Sequence, residues 1–123
     1  MSTPFPRRGE VYFARARARP SQRKTRPVLI ISPDVRNRWA GDVLTIPIST
    51  KVRPAREHVL LDRGEGGLPH TSVAKCEQVG PVDKSFLDSR PLGAPLSEGR
   101  MRQIESALLI ALGIQPAEER PMD

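Results

Sequence analysis

A single cysteine, Cys76, stands in the 123 residues, which excludes an internal disulfide and fits a reducing, cytoplasmic setting. The two histidines, His58 and His70, are scattered, and no Cys-x-x-Cys or His-x-x-x-His spacing exists, so no metal site is expected. No apolar run approaches the length of a membrane span, and Met1 to Arg8 lacks the apolar core of a secretory signal. Glycine-rich phosphate loops are missing too: Gly64-Glu65-Gly66-Gly67 precedes a strand rather than a helix. Aromatics are few, with one Trp, one Tyr and three Phe. Phe13 is therefore expected in the core, and Trp39 is left as a candidate stacking platform.

Acidic residues are scarce in the first half. Residues 1–56 hold thirteen Lys/Arg against three acids, and residues 57–123 hold seven against eleven, within a net charge of +6. A cationic half on a small chain favours a polyanionic partner, nucleic acid ahead of an acidic protein segment. The length suits one domain, expected over residues 1–114, with a disordered tail over 115–123.

Two apolar, β-branched runs dominate the patterning. Arg26-Pro27-Val28-Leu29-Ile30-Ile31-Ser32 and Val43-Leu44-Thr45-Ile46-Pro47-Ile48-Ser49-Thr50 read as buried strands, separated by turn residues over 33–42. As antiparallel neighbours they would set Arg26 beside Ser49 and Thr50 at one rim of a sheet. A guanidinium grips phosphate oxygens bidentately and a hydroxyl adds a donor. On composition alone, a charge at a strand start and an ordinary Ser–Thr turn account for these residues better.

Further strands are expected over 8–14, 57–62 and 72–79, with a turn or one helical turn over 81–87. One clear helix is predicted, about 98–112, with Ser97 as N-cap and Gly113 as stop. Its apolar face is Met101, Ile104, Ala107, Leu108, Ala111 and Leu112, widened by Leu109 and Ile110. Basic loops flank the central strands. Arg15, Arg17, Arg19, Gln22, Arg23 and Lys24 fall before the first, and Lys51 and Arg53 after the second. Mainly β, with a C-terminal helix, the chain should form a small, strongly bent sheet or half-open barrel.

Laid in order, these segments resemble the MazF/PemK/Kid toxins of bacterial toxin–antitoxin pairs. The resemblance rests on Arg8-Gly9-Glu10-Val11-Tyr12-Phe13, Arg26-Pro27-Val28-Leu29-Ile30-Ile31-Ser32, Asn37-Arg38 and Pro47-Ile48-Ser49-Thr50. His58-Val59, Gly67-Leu68, Ser72-Val73, Gln78-Val79, Val82-Asp83-Lys84 and Ala107-Leu108 to Gly113-Ile114 extend it over about residues 7–114. It implies an SH3-like β-barrel, usually a homodimer, and a cofactor-free, metal-independent endoribonuclease. Such an enzyme cuts single-stranded RNA, mRNA foremost, at a short sequence, leaving a 2′,3′-cyclic phosphate and a 5′-hydroxyl. A cognate antitoxin would block the RNA groove.

Carried over by position, the resemblance gives Arg26 the catalytic arginine's place and Ser49 that of the catalytic threonine, with Thr50 beside it as the alternative hydroxyl. Arg15, Arg17, Arg19, Gln22, Arg23, Lys24, Lys51 and Arg53 would bind RNA. Ser21 stands where relatives often carry an acid, which leaves Arg26, His58 or the substrate itself as general base. Two rivals stay open: a gyrase-inhibiting toxin of the related CcdB type, and a non-catalytic nucleic-acid-binding module.

Overall fold

The computed structural model describes residues 4–15 and 25–115. Six strands lie in chain order: β1 (Val11–Arg15), β2 (Thr25–Ile30), β3 (Asp42–Ser49), β4 (His58–Leu61), β5 (Ser72–Lys75) and β6 (Gly80–Asp83). Helix α1 (Asp34–Trp39) joins β2 to β3, and α2 (Glu98–Ala111) closes the chain. All pairings are antiparallel, in the order β1-β2-β3-β5-β4, with β6 added to β3. The long β3 belongs to both halves of the sheet: its first half pairs β6 and its end pairs β5. That double duty supplies the bend.

The sheet is bent, as the strand pattern predicts, but it is not closed into the barrel that the resemblance implies. Among the described residues no strand joins β1 to β4. Instead the segment after β6 runs along β1. It makes one bridge, Ala14 to Leu87, and then three main-chain bonds, from Asp88, Leu92 and Leu96 N–H to Phe13, Val11 and Gly9 carbonyls at 2.8–2.9 Å. The edge donors and acceptors that a barrel would pair are met by an irregular strap.

The central strands read as continuous apolar runs because both their faces are covered. One face (Val11, Leu29, Ile46, Ile48) packs with Val59, Leu61, Ala74, Cys76 and the buried side of α2, namely Met101, Ile104 and Ala107. The other face (Tyr12, Ala14, Val28, Ile30, Val43) forms a smaller cluster with Val82 and Leu87. Helix α2 is capped as its sequence dictates: Ser97 Oγ accepts from Arg100 N–H at 3.1 Å. Ile110 is exposed and so widens a surface rather than the core, and Leu112, expected on the apolar face, is exposed as well because it caps the helix one residue past its end.

Three further readings need correction. The stretch 33–42 contains α1, because Pro33 sets the first turn and its carbonyl accepts from Arg36 and Asn37 N–H at 3.0 and 2.9 Å. The strand expected over 72–79 stops at Lys75, where a 3₁₀ turn over Cys76–Gln78 buries Cys76. Residues 80–83 form β6, with the helical turn confined to Lys84–Phe86. Gly67, at φ 84°, is a close-approach glycine: a Cβ there would sit 2.4 Å from the Leu92 carbonyl. No helix among the described residues is long and apolar enough to cross a membrane.

Candidate nucleic-acid interface

The antiparallel pairing of β2 with β3 sets Val28 opposite Pro47 and Leu29 opposite Ile46. Continued by two residues, that register brings Arg26 opposite Ser49, and directly opposed residues share a face. The face is fixed by alternation. Ile48 is buried in the main core, so Ser49 turns the other way, onto the face that carries Val28 and Pro47. There a groove of about 560 Å³ opens, lined by Arg26, Val28, Pro47, Val82 and Phe86, with Asp42 and Asp83 toward its far end. Its floor is apolar and its near rim cationic.

Arg26 is exposed and Ser49 half-buried. Ser49 Oγ accepts from Lys51 N–H at 3.1 Å, which pins the oxygen at the end of β3 and leaves its proton to donate. Thr50 lies one residue past the strand, exposed, as are Lys51, Arg53 and Arg56. Arg15 lines the same groove and is anchored by a 2.7 Å bond from its guanidinium to the Ser85 carbonyl. Five of the residues placed at the RNA entrance, Arg17, Arg19, Gln22, Arg23 and Lys24, lie outside the described residues. Of the rest, Arg15 and Arg26 line the same groove, Ser49 lies two residues past the groove-lining Pro47, and Lys51 and Arg53 follow Ser49 on the adjoining loop.

His58 is engaged elsewhere. Its Nε2 lies 2.8 and 3.0 Å from the two Glu77 carboxylate oxygens, and Nδ1 lies 3.0 Å from the Arg53 carbonyl. Both neighbours only accept hydrogen bonds, so whichever ring nitrogen carries the proton donates to one of them, and the ring sits between the basic loop and the turn after β5. Burial, with Glu77 adding to it, pushes the Cys76 thiol up to about 11 and removes it as a nucleophile at neutral pH. Burial, with Glu10 nearby, pushes the Tyr12 phenol up to about 12. Among the described residues no three His, Cys, Asp or Glu side chains gather as a metal site would need.

Sequence reasoning missed Phe86, Asp83 and Asp42 as groove residues, since only the pairing of β6 with β3 brings them there. It also left Asn37 without a role. Asn37 is fully buried; its Nδ2 donates to the Ser32 carbonyl at 2.8 Å and its Oδ1 accepts from the Ser32 hydroxyl. Ser32 Oγ in turn accepts from Leu44 N–H at 2.9 Å. This chain of bonds fastens α1 across the β2–β3 connection. A second cleft, of about 650 Å³, lies between β4 and α2, lined by Arg56, Leu60, Arg102 and Ile110 among others, and shares no residue with the groove.

A family model described as PemK-like, MazF-like toxin of type II toxin–antitoxin system matches residues 7–112. The chain belongs to this family. A curated relative of this PemK/MazF protein is endoribonuclease EndoA of Bacillus subtilis, 30% identical over 112 residues, which cover 88% of this chain and 95% of EndoA. The fold resembles the Mycobacterium tuberculosis toxin MazF-mt6, with a TM-score of 0.75 and 25% identity over 87% of this chain and 99% of that one. It also resembles a mycobacterial endoribonuclease solved in complex with its cognate antitoxin, with a TM-score of 0.74 and 27% identity over 90% of this chain and 98% of that one. The open bent sheet with its C-terminal helix is thus the MazF-like fold.

Proposed function

We propose that this PemK/MazF toxin is a metal-independent, sequence-specific endonuclease of single-stranded RNA. Support comes from one geometric feature above all: Arg26 and Arg15 line the rim of an apolar groove, and the β2–β3 register, which pairs Val28 with Pro47, runs toward Ser49 two residues further on. The endoribonuclease relatives make RNA the fitting polyanion. In the proposed reaction the substrate's 2′-oxygen attacks the adjacent phosphorus and the bond to the 5′-oxygen breaks. The 2′-OH proton is removed and the departing 5′-oxygen is protonated, giving a 2′,3′-cyclic phosphate and a 5′-hydroxyl. Arg26 neutralises the charge that builds on the non-bridging oxygens, and the Ser49 hydroxyl donates to one of them. Ser49 is preferred to Thr50 because strand alternation directs Ser49 toward the groove. Arg15, Lys51 and Arg53 hold flanking phosphates. With His58 tied to Glu77 and Arg53 and Arg26 held as a cation, the 2′-OH proton passes to a non-bridging oxygen of the scissile phosphate and from there to the departing 5′-oxygen.

A homodimer and a cognate antitoxin that covers the groove belong to the same reading, as does action in the cytoplasm on mRNA. The test is cleavage of RNA by purified protein in EDTA, beside Arg26→Ala and Ser49→Ala, with end-group analysis. The expected outcome is discrete cuts by wild type, ending in cyclic phosphate, reduced roughly 10²-fold or more by either substitution. RNA binding without cuts, equal in all three proteins, would sink the nuclease and leave a binding module or inhibitor.

A further inference from the structure

The single tryptophan of the chain is not in the core. Trp39 ends α1 with 76% of its surface exposed, and Val35, one turn earlier, is 72% exposed. The Arg38 guanidinium lies 4.9 Å from the indole centroid, in cation–π contact. Lys84 joins the same corner: its Nζ lies 3.4 Å from the Arg38 carbonyl and its N–H donates to Gly41 at 3.0 Å. Asp42, three residues after Trp39, is neutralised by Arg36 at 2.6 Å and lines the far end of the groove with Asp83.

We propose that Trp39 is a nucleobase platform, on which an unpaired base of the RNA stacks while Arg38 and Lys84 take its phosphates. This rests on the nuclease reading and extends the substrate path beyond the Arg26 rim. Two observations favour RNA over a protein partner. The apolar surface is one indole and one valine between cations, far short of the roughly 800 Å² a stable protein interface covers on each side. An aromatic face with an arginine beside it is the usual platform for single-stranded bases, because every base offers a π-face. The platform lies near the far end of the groove, three residues before the groove-lining Asp42. Strand β3 runs from Asp42 beside Trp39 to Ser49 beside Arg26, about 23 Å at ordinary strand rise, so the stacked base lies several nucleotides from the cut phosphate. Trp39 therefore acts on binding and on the choice of cut site, not on the bond-breaking step.

Because Trp39 is the only tryptophan, its fluorescence reports this contact directly. The probe is a short oligonucleotide spanning a mapped cut, with 2′-O-methyl ribose at the cut position so that it binds without reacting. The expected result is indole quenching that saturates together with fluorescence anisotropy. Alongside it, Trp39→Ala should raise KM about 10-fold or more with kcat unchanged, and Trp39→Phe should largely preserve KM. An exposed side chain leaves folding unaffected, which an unchanged urea midpoint would verify. A flat indole signal at saturating anisotropy, or a wild-type KM in Trp39→Ala, overturns the platform while the nuclease stands. So does a loss of self-association in Trp39→Ala, which would assign the indole to a contact between copies. Wild-type protein that neither binds nor cuts RNA overturns both readings.

Discussion

Replacing Asn37 by alanine removes the side chain that fastens α1 to the central strands, and the cost follows from the bonds it breaks. Asn37 is fully buried, donates to the Ser32 carbonyl at 2.8 Å and accepts from the Ser32 hydroxyl. Alanine leaves the Ser32 hydroxyl proton and one carbonyl without these partners in a closed site. Each stranded group costs about 1–3 kcal/mol, so the sum is about 3 kcal/mol, a large share of a domain's stability. The paired change Ser32→Ala with Asn37→Ala should cost less than the two single changes added, because the stranded hydroxyl is gone. The groups left without these partners are the Ser32 carbonyl and Leu44 N–H, which had bonded Ser32 Oγ at 2.9 Å. A double-mutant cycle read from urea unfolding should show a coupling of about 1–2 kcal/mol. The slope m should stay fixed and only the midpoint move. A loss under about 0.5 kcal/mol in Asn37→Ala, or strict additivity, would refute the argument that this network fastens α1.

Two other outcomes can be measured on the same protein. The Arg100 hydrogen bonds hold the Glu65 carboxylate below its usual range, at 2.8–2.9 Å, and it also accepts from Asp62 N–H. A depressed carboxylate adds stability above its unfolded value, near 4.5, and loses it as pH falls through the lower folded value. Glu65→Gln should thus be less stable than wild type at neutral pH, by at most about 1 kcal/mol for so accessible a pair, and the gap should close in acid; equal differences at both pH values would count against it. Cys76, buried with its thiol pushed up to about 11, should resist thiol reagents in the folded protein and react only on unfolding, and Cys76→Ala should cut RNA at the wild-type rate. Rapid native labelling, or lost turnover in a folded Cys76→Ala, would reverse that assignment.

The two central strands and the last helix were legible because their signals are local. Val28 to Ile30 and Val43 to Ile48 are apolar on both faces, and Ser97 with Gly113 brackets α2. The antiparallel pairing of the two strands was equally legible, since it needs only two adjacent apolar runs, and Arg26 lies two residues before the last β2–β3 pair. What escaped depends on distant partners. Gly80–Asp83 looks like a turn because it holds Gly and Pro, yet Thr45 to Asp42 gives it a ladder, with Pro81 on an edge strand that tolerates the missing N–H. The strand pattern pointed to a bent sheet or half-open barrel, but not to what covers its edge: the strap over 87–96 follows no strand pattern, and its bonds to Gly9, Val11 and Phe13 exist only once β6 has carried the chain back. Helix α1 is too short for a periodic signal, and its stability lies in the Asn37–Ser32 bonds rather than in helix propensity.

The same alternation that buries the core also sets the proposed chemistry. Leu29 and Ile46 oppose one another with no exposure, and Val28 opposes Pro47 on the reverse face. Sliding β3 by one residue against β2 would send Ile46 and Ile48 to the groove face and turn Thr45, Pro47 and Ser49 into the main core. The burial lost by two isoleucines alone is about 3–6 kcal/mol, so the shifted pairing is not populated. In the proposed site Arg26 and Ser49 would therefore need no bond to each other to stay near: the hydrophobic register two residues away fixes both strand ends. It follows that Arg26→Ala and Ser49→Ala, at a rim outside that register's apolar pairs, should change turnover and leave the urea midpoint nearly fixed. Asn37→Ala should do the reverse, lowering the midpoint with turnover retained wherever the protein is folded. Were both classes of substitution to lower stability and turnover in proportion, the rim would be part of what holds the sheet together, and its assignment as a site would lose its footing.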